Sequence, residues 1–280
     1  MAVQTREQIE KAIEVVGSPG LNLQRQNLQG LDLSNLALQG VDLFKADLAQ
    51  SNLYRADLRT AMLAAANLKS ANLREADLEG ANLRGADLRE ADLREANLSS
   101  ANLSGRVMTV QGDFDTWQRT NLQGTNLRMT NLTEASLVRA NLRKAKLGRA
   151  NLSRANLEHA DLREADLKGA NLEGVYLRRA SLQGLTLATA NLHEVVLKGA
   201  NLEETNLQGA DLSKSDLREA NLSRANLRGA DLSEANLTAV NLNEAEYDTE
   251  TKWPAGFNPS LSRAVFRAAT PAAAQVFEWW

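Results

Sequence analysis

The side chains able to do chemistry in this chain are two histidines, 35 carboxylates and 32 lysines and arginines, with no cysteine at all. A histidine beside a carboxylate can run general acid–base chemistry, and two histidines within reach of each other can hold a metal. The missing thiol removes disulfides, thiolate metal sites and cysteine nucleophiles together. His159 and His193 are separated by several runs of Leu, Ala and charged residues. No G-x-x-x-x-G-K-S/T, G-x-S-x-G or H-E-x-x-H pattern occurs. The carboxylates recur at regular intervals, as solvated stacks do, and single out no acid–base pair. These residues predict a protein that is not an enzyme and needs no metal or cofactor.

What must position them is a repeat. Leu recurs at every fifth residue from Leu23 to Leu103, 17 times, and again from Leu122 to Leu242, 25 times. Ala stands two residues before the Leu in 27 of these 42 units, and Asn or Asp just before it in 34, so the repeat has a definite interior and a definite corner chemistry. On an α-helix a five-residue step spreads the leucines around the whole barrel, which excludes an amphipathic helix. On one straight strand an odd step sends successive leucines to opposite faces. The pattern is met if each pentapeptide is a short extended piece with Ala and Leu turned inward, followed by a corner. Gly at corners such as Gly40, Gly80, Gly85 and Gly169 suits positive φ, and Asn or Asp can bond nearby backbone amides. Ordering five residues costs about 5–10 kcal/mol of backbone entropy, while burying one Leu returns about 1.5–3 kcal/mol. The units must therefore stack into a solenoid.

The unit A-(D/N)-L-x-x, as in Ala71-Asn72-Leu73-Arg74-Glu75, resembles the pentapeptide-repeat family over about three quarters of the chain. The resemblance implies an all-β solenoid: a right-handed quadrilateral β-helix with four pentapeptides per coil. That makes about ten coils and a rod on the order of 50 Å long. With four sides, His159 and His193 fall on different faces and residues 20 apart stack.

Around the repeats the chain divides into an N-terminal capping helix (1–20), a first repeat block (21–103), an interruption (104–119), a second block (120–247) and a C-terminal cap with a short helical tail (248–280). Thr5 to Val16 reads as a helix with a Thr5–Gln8 capping box. Its apolar face is Ile9, Ala12, Ile13 and Val16, and Gly17 and Pro19 stop it. It either plugs the first coil or binds a partner. Trp253 and Phe257 are expected to cover the last coil, and Trp-Pro closures of this kind resemble those of bacterial, especially cyanobacterial, members. SLSRAVFRAA and TPAAAQVFEWW read as two small C-terminal helices.

Three places break the monotony and are the candidate partner-binding residues. The interruption, 19 residues from Leu103 to Leu122 and so one short of four repeats, holds Phe114 and Trp117; it is either an irregular coil or an outward loop. The tail holds Phe277, Trp279 and Trp280, which either fold back on the solenoid or dock on a second copy or another protein. On the rod, Tyr176 lies under Val196 where Asn or Asp is usual, flanked by Arg178, Arg179, Lys198 and Arg218, with Glu158 and Glu219 nearby.

With a formal charge of −3 the chain carries neither a nucleic-acid-binding excess nor a strongly acidic shell. It has no apolar run of about 18 residues and no signal-peptide pattern at its start. The expectation is a cytoplasmic protein-interaction scaffold whose partner is another protein, with no membrane contact and no direct nucleic-acid binding. A homodimer through the tail is the competing assembly. The alternative function, from family resemblance, is a DNA-mimicking inhibitor or protector of a topoisomerase such as gyrase; acids interleaved with Arg, as in Leu88-Arg89-Glu90, weigh against it.

Overall fold

A computed structural model describes residues 5–105 and 119–268. Parallel bridges join each Asn or Asp to the residue 20 positions on, as in Asn52 with Asn72 and Asn72 with Asp92, so four pentapeptides complete a coil. Four walls result. They are named here for the leucines of the first coil: Leu23, Leu28, Leu33 and Leu38. Nearly every Leu, and the Ala or Thr two residues before it, is buried in one continuous core.

The pentapeptide is stable because its five amide N–H groups have five fates. In the unit around Leu73, Leu73 N–H donates to Asp92 O of the next coil at 2.7 Å, Glu75 N–H to Arg94 O at 3.0 Å, and Asn72 N–H to Ser51 O of the preceding coil at 2.9 Å. Ala76 N–H closes the turn on Leu73 O at 3.1 Å. The fifth donor, Arg74 N–H, meets the Asn72 side-chain oxygen at 3.3 Å. Asn or Asp before Leu thus serves the one amide the coils cannot reach. The amides also ladder between coils, Asn72 Nδ2 donating to Asn52 Oδ1 at 2.8 Å.

Glycine at the second turn position fits its positive φ, 67° at Gly40. Most turns, however, hold a non-glycine residue there, with φ between 54° and 62°. Each such residue stores about 1 kcal/mol or more of backbone strain that stacking must offset.

Where Thr replaces the inner Ala, its hydroxyl finds a carbonyl of the coil below. Thr125 Oγ1 donates to Leu88 O at 2.7 Å and Thr130 Oγ1 to Leu93 O at 2.8 Å. Ser51 Oγ instead donates to Leu48 O of the preceding unit in its own coil, at 2.7 Å. Ser215 is the contrast: it is buried at 1% exposure and its hydroxyl has no partner. Ser215→Ala is therefore expected to raise the unfolding free energy by about 1 kcal/mol, since it removes an unsatisfied buried group; equilibrium urea denaturation reads the sign.

The helix α1 (Arg6–Val16) has the expected capping box and ends at Gly17, φ 71°. Ile9 is buried in the solenoid core, with Ala12 and Ile13 packed against it. Val16 departs from expectation: it is 55% exposed.

At the other end Trp253 and Phe266 each meet Tyr247 edge to face at 5.6 Å, and Phe257 stacks on Trp253 at 5.1 Å, with Trp253 and Phe257 against the core. The first of the two expected C-terminal helices does not form. Residues Pro259–Leu261 make a single 3₁₀ turn, and β2 (Val265–Phe266) then pairs in parallel with β1 (Glu246–Tyr247). The open edge of the last coil offers Val265 and Arg267 carbonyl partners, Ala245 O and Tyr247 O at 2.8 Å each, which a helix would leave unmet. The second expected helix lies outside the described residues.

The ladder of the described residues is continuous across the interruption. Across it, bridged partners are 34 instead of 20 residues apart, as in Asp87 with Asn121 and Asn102 with Ser136, and Leu103 and Leu122 occupy consecutive walls. No extra coil intervenes; the excess of 14 residues belongs to one corner. There the chain leaves and returns through a tight neck, where a Cβ on Gly105 would sit 3.0 Å from Arg119 Cα. Thr120 ties the neck, its Oγ1 accepting from Gly85 N–H at 2.9 Å and lying 3.1 Å from Ser104 O.

Candidate partner-binding surfaces

The groups with catalytic potential stay apart. His159 follows Leu157 on the Leu23 wall and His193 follows Leu192 on the Leu38 wall. His193 Nδ1 is 2.8 Å from Ser213 Oγ and its Nε2 is 3.4 Å from Glu194. Among the described residues no three His, Asp or Glu side chains are grouped so as to hold a metal.

Five carboxylates, Asp57, Asp87, Asp92, Asp161 and Asp216, are neutralised within their own repeats. In each D-L-R unit the guanidinium folds back on the carboxylate: Arg59 on Asp57 and Arg218 on Asp216 at 2.6 Å, Arg89 on Asp87 and Arg94 on Asp92 at 2.5 Å. Hydrogen bonding from Arg59 and Arg218 holds the Asp57 and Asp216 carboxyls below their ordinary range. Asp231, bonded by Lys252 and then by Ser233, is lowered to about 2.

Tyr176 and Val196 do stack, bridged to each other and in line with Asn156 and Asp216 on the Leu23 wall. Tyr176 is 47% exposed and Val196 half-buried. Of the flanking cations, Lys198 is paired with Glu219 at 3.3 Å and Arg218 is taken by Asp216. Arg178 and Arg179 are exposed and make no ion pair among the described residues. Two members escaped the sequence reading. Arg139, His159 and Arg179 occupy the same turn position in successive coils, and burial together with the charges of Arg139 and Arg179 pushes the His159 pKa down, Glu158 opposing. The twenty-residue period alone was the signal for that column. Phe114, Trp117, Phe277, Trp279 and Trp280 lie outside the described residues.

A second feature was not foreseen. Along the Leu33 and Leu38 walls the coil carrying residues 164–174 is not bonded to the coil carrying 184–194. Glu164, Leu167, Gly169, Leu172 and Gly174 donate to no backbone carbonyl of the upper coil, nor do Thr186 and Asn191 to one of the lower. The bridges on either side, Asp161 with Ser181 and Tyr176 with Val196, are intact. Short of the terminal coil, this is the one opening of the ladder among the described residues. It forms a cleft of about 810 Å³ walled by Leu167, Leu185 and Leu187, with Ala165, Ala170 and Ala190 only partly covered. Leu185 stands at the inner position that Ala or Thr fills above and below it. Elsewhere Leu takes that position only in the first coil, at Leu21, Leu31 and Leu36, which has no coil beneath.

Comparison with known proteins agrees with this geometry. No curated protein sequence matches the chain. Among solved structures, HetL from the cyanobacterium Nostoc sp. strain PCC 7120, a pentapeptide repeat protein involved in heterocyst differentiation regulation, is 34% identical over 87% of this chain and 97% of its own, with a TM-score of 0.44. QnrB1, a plasmid-mediated fluoroquinolone resistance protein, is 16% identical over 69% of this chain and 84% of its own, with a TM-score of 0.52, and shares the fold. A pentapeptide repeat protein from the cyanobacterium Cyanothece 51142 is 27% identical over 61% of this chain and 90% of its own, with a TM-score of 0.25. The family model for pentapeptide repeats matches 8 copies, in segments 42–80, 71–105, 118–154, 145–184, 155–193, 190–229 and 215–246. A four-sided ladder, an inner Ala–Leu column and that match over most of its length lead to one conclusion: the chain belongs to the pentapeptide-repeat family, the right-handed quadrilateral β-helices.

Proposed function

We propose that the chain is a non-catalytic interaction scaffold, a rod of about ten coils that captures an acidic protein surface through the Tyr176 wall. One observation carries the reading: around the exposed Tyr176, which stands where a D-L-R unit has its Asp, Arg178 and Arg179 make no ion pair among the described residues, although all five D-L-R arginines are tied down within their own repeat. An aromatic rimmed by free guanidinium groups is the composition of an interface anchor. Val196, Lys198, Arg139 and His159 complete the surface. Phe114 and Trp117 in the interruption are proposed as secondary contacts; Phe277, Trp279 and Trp280 in the tail are proposed to fold back on the solenoid, with a tail-mediated homodimer as the competing assembly. The division at 20, 103, 119 and 247 is part of this reading, as is a cytoplasmic location; among the described residues no helix is long and apolar enough to cross a membrane. The regulatory role named for HetL is of the same kind.

Reversing charge in Arg178→Glu with Arg179→Glu should reduce partner capture by full-length protein from native extract at least tenfold at about 0.1 M salt and leave the circular dichroism spectrum unchanged. Equal capture by the double variant would reject the surface. The second reading, DNA mimicry toward gyrase, draws on the family and on QnrB1's part in fluoroquinolone resistance. The D-L-R pairing argues against it, since a DNA mimic must present an unbroken negative array. A supercoiling assay in which the protein inhibits gyrase would restore it.

A further inference from the structure

We infer that the cleft between the 164–174 and 184–194 stretches is the docking site of this chain's own C-terminal segment, residues 269–280. Both lips of the cleft are β-ladder edges with unused N–H and C=O groups, and the chemical complement of such an edge is extended polypeptide. The walls are aliphatic: Leu167, Leu185 and Leu187. On the lower lip and next to it, Lys168 and Arg149 make no ion pair among the described residues, the neighbouring Asp166 being engaged by Arg128 at 3.4 Å. An acid set among aromatics suits that slot, and the segment contains Phe277-Glu278-Trp279-Trp280.

The path is short enough. The described chain ends just beyond β2, which lies over β1 on the Leu33 wall, the wall that carries Leu187 and Leu167 lower down. From Phe266 to Leu187 is four coils, about 19 Å at the usual strand spacing. Residues 269–276 extended reach about 26 Å. The aromatic cluster therefore arrives at the cleft without crossing a corner of the rod.

The absence of native cysteine makes the test clean. Full-length protein with Ala188→Cys and Gln275→Cys is oxidised in dilute solution beside a control with Ser223→Cys and Gln275→Cys. Position 223 lies on the Leu28 wall and nearer the end of the rod, so a segment sampling the surface at random reaches it at least as readily. The proposal expects the intramolecular disulfide to form at least tenfold faster at 188. Equal or faster closure at 223 overturns it, and so does a covalent dimer as the main product, which would give the cleft to a second copy. Independently, hydrogen exchange in the 164–174 peptide should quicken at least tenfold when Phe277, Trp279 and Trp280 are all changed to Ser, substitutions that leave the solenoid core intact. Unchanged exchange in that variant also overturns the assignment.

Discussion

Leu78→Ala is expected to lower the unfolding free energy by about 2–5 kcal/mol, seen as a lower denaturation midpoint at unchanged slope. Leu78 has no solvent exposure and lies between the Leu58 and Leu98 layers of its wall. The walls cannot close over the void, because Leu78 N–H is held to Asn97 O at 2.7 Å and Asp77 N–H to Ala56 O at 3.0 Å. The cost should thus sit toward the top of the range for Leu truncation. A midpoint that does not move would show that the leucine column is not what holds the coils together.

Leu185→Ala is expected to do the reverse. By exposure alone, 3%, Leu185 is another core leucine. It occupies, however, a slot sized for Ala, and an overfilled core costs about 1–3 kcal/mol in displaced neighbours. On this expectation the displacement is the parting of the coils, where at least seven ladder donors lack inter-coil partners. Truncation loses about 2–5 kcal/mol of burial. It also lets the ladder close, at about 0.5–1.5 kcal/mol per hydrogen bond. The net expectation is a gain of a few kcal/mol in unfolding free energy, with slower amide exchange at Leu167, Gly169 and Leu172. Destabilisation of the size expected for Leu78→Ala would mean that Leu185 does not hold the cleft open.

Much of this architecture was legible in the residues. The five-residue leucine period left no other secondary structure available, and the Thr5–Gln8 box marked the start of α1 to the residue. The role of Asn and Asp as acceptors for a nearby amide was also readable, although which amide depended on the ladder. The four-sided count was not legible, because side chains 15, 20 or 25 apart give the same sequence pattern; the bridges settle it. Residues 261–268 misled because Leu, Ala and Arg carry helical propensity, while the open edge of the last coil offered backbone partners that propensity does not weigh. Tyr176 and Val196 declared themselves by replacing Asn or Asp. Arg139 and His159 did not, since nothing about either residue is unusual until coils are stacked. The cleft was foreshadowed by one substitution, Leu185 for Ala, whose consequence is a matter of volume and not of type.

The neck at Gly105 and Arg119 has a consequence for how this rod tolerates change. Because the additional chain departs and rejoins at a single corner, every wall downstream keeps the azimuth it had upstream: Met62, Asn102 and Tyr176 still line up along one straight side. Lengthening, shortening or replacing that appendage leaves the compass bearing of the remaining coils untouched. The corner is accordingly a natural splice point, where a new binding module can be grafted while the display on either side stays in phase.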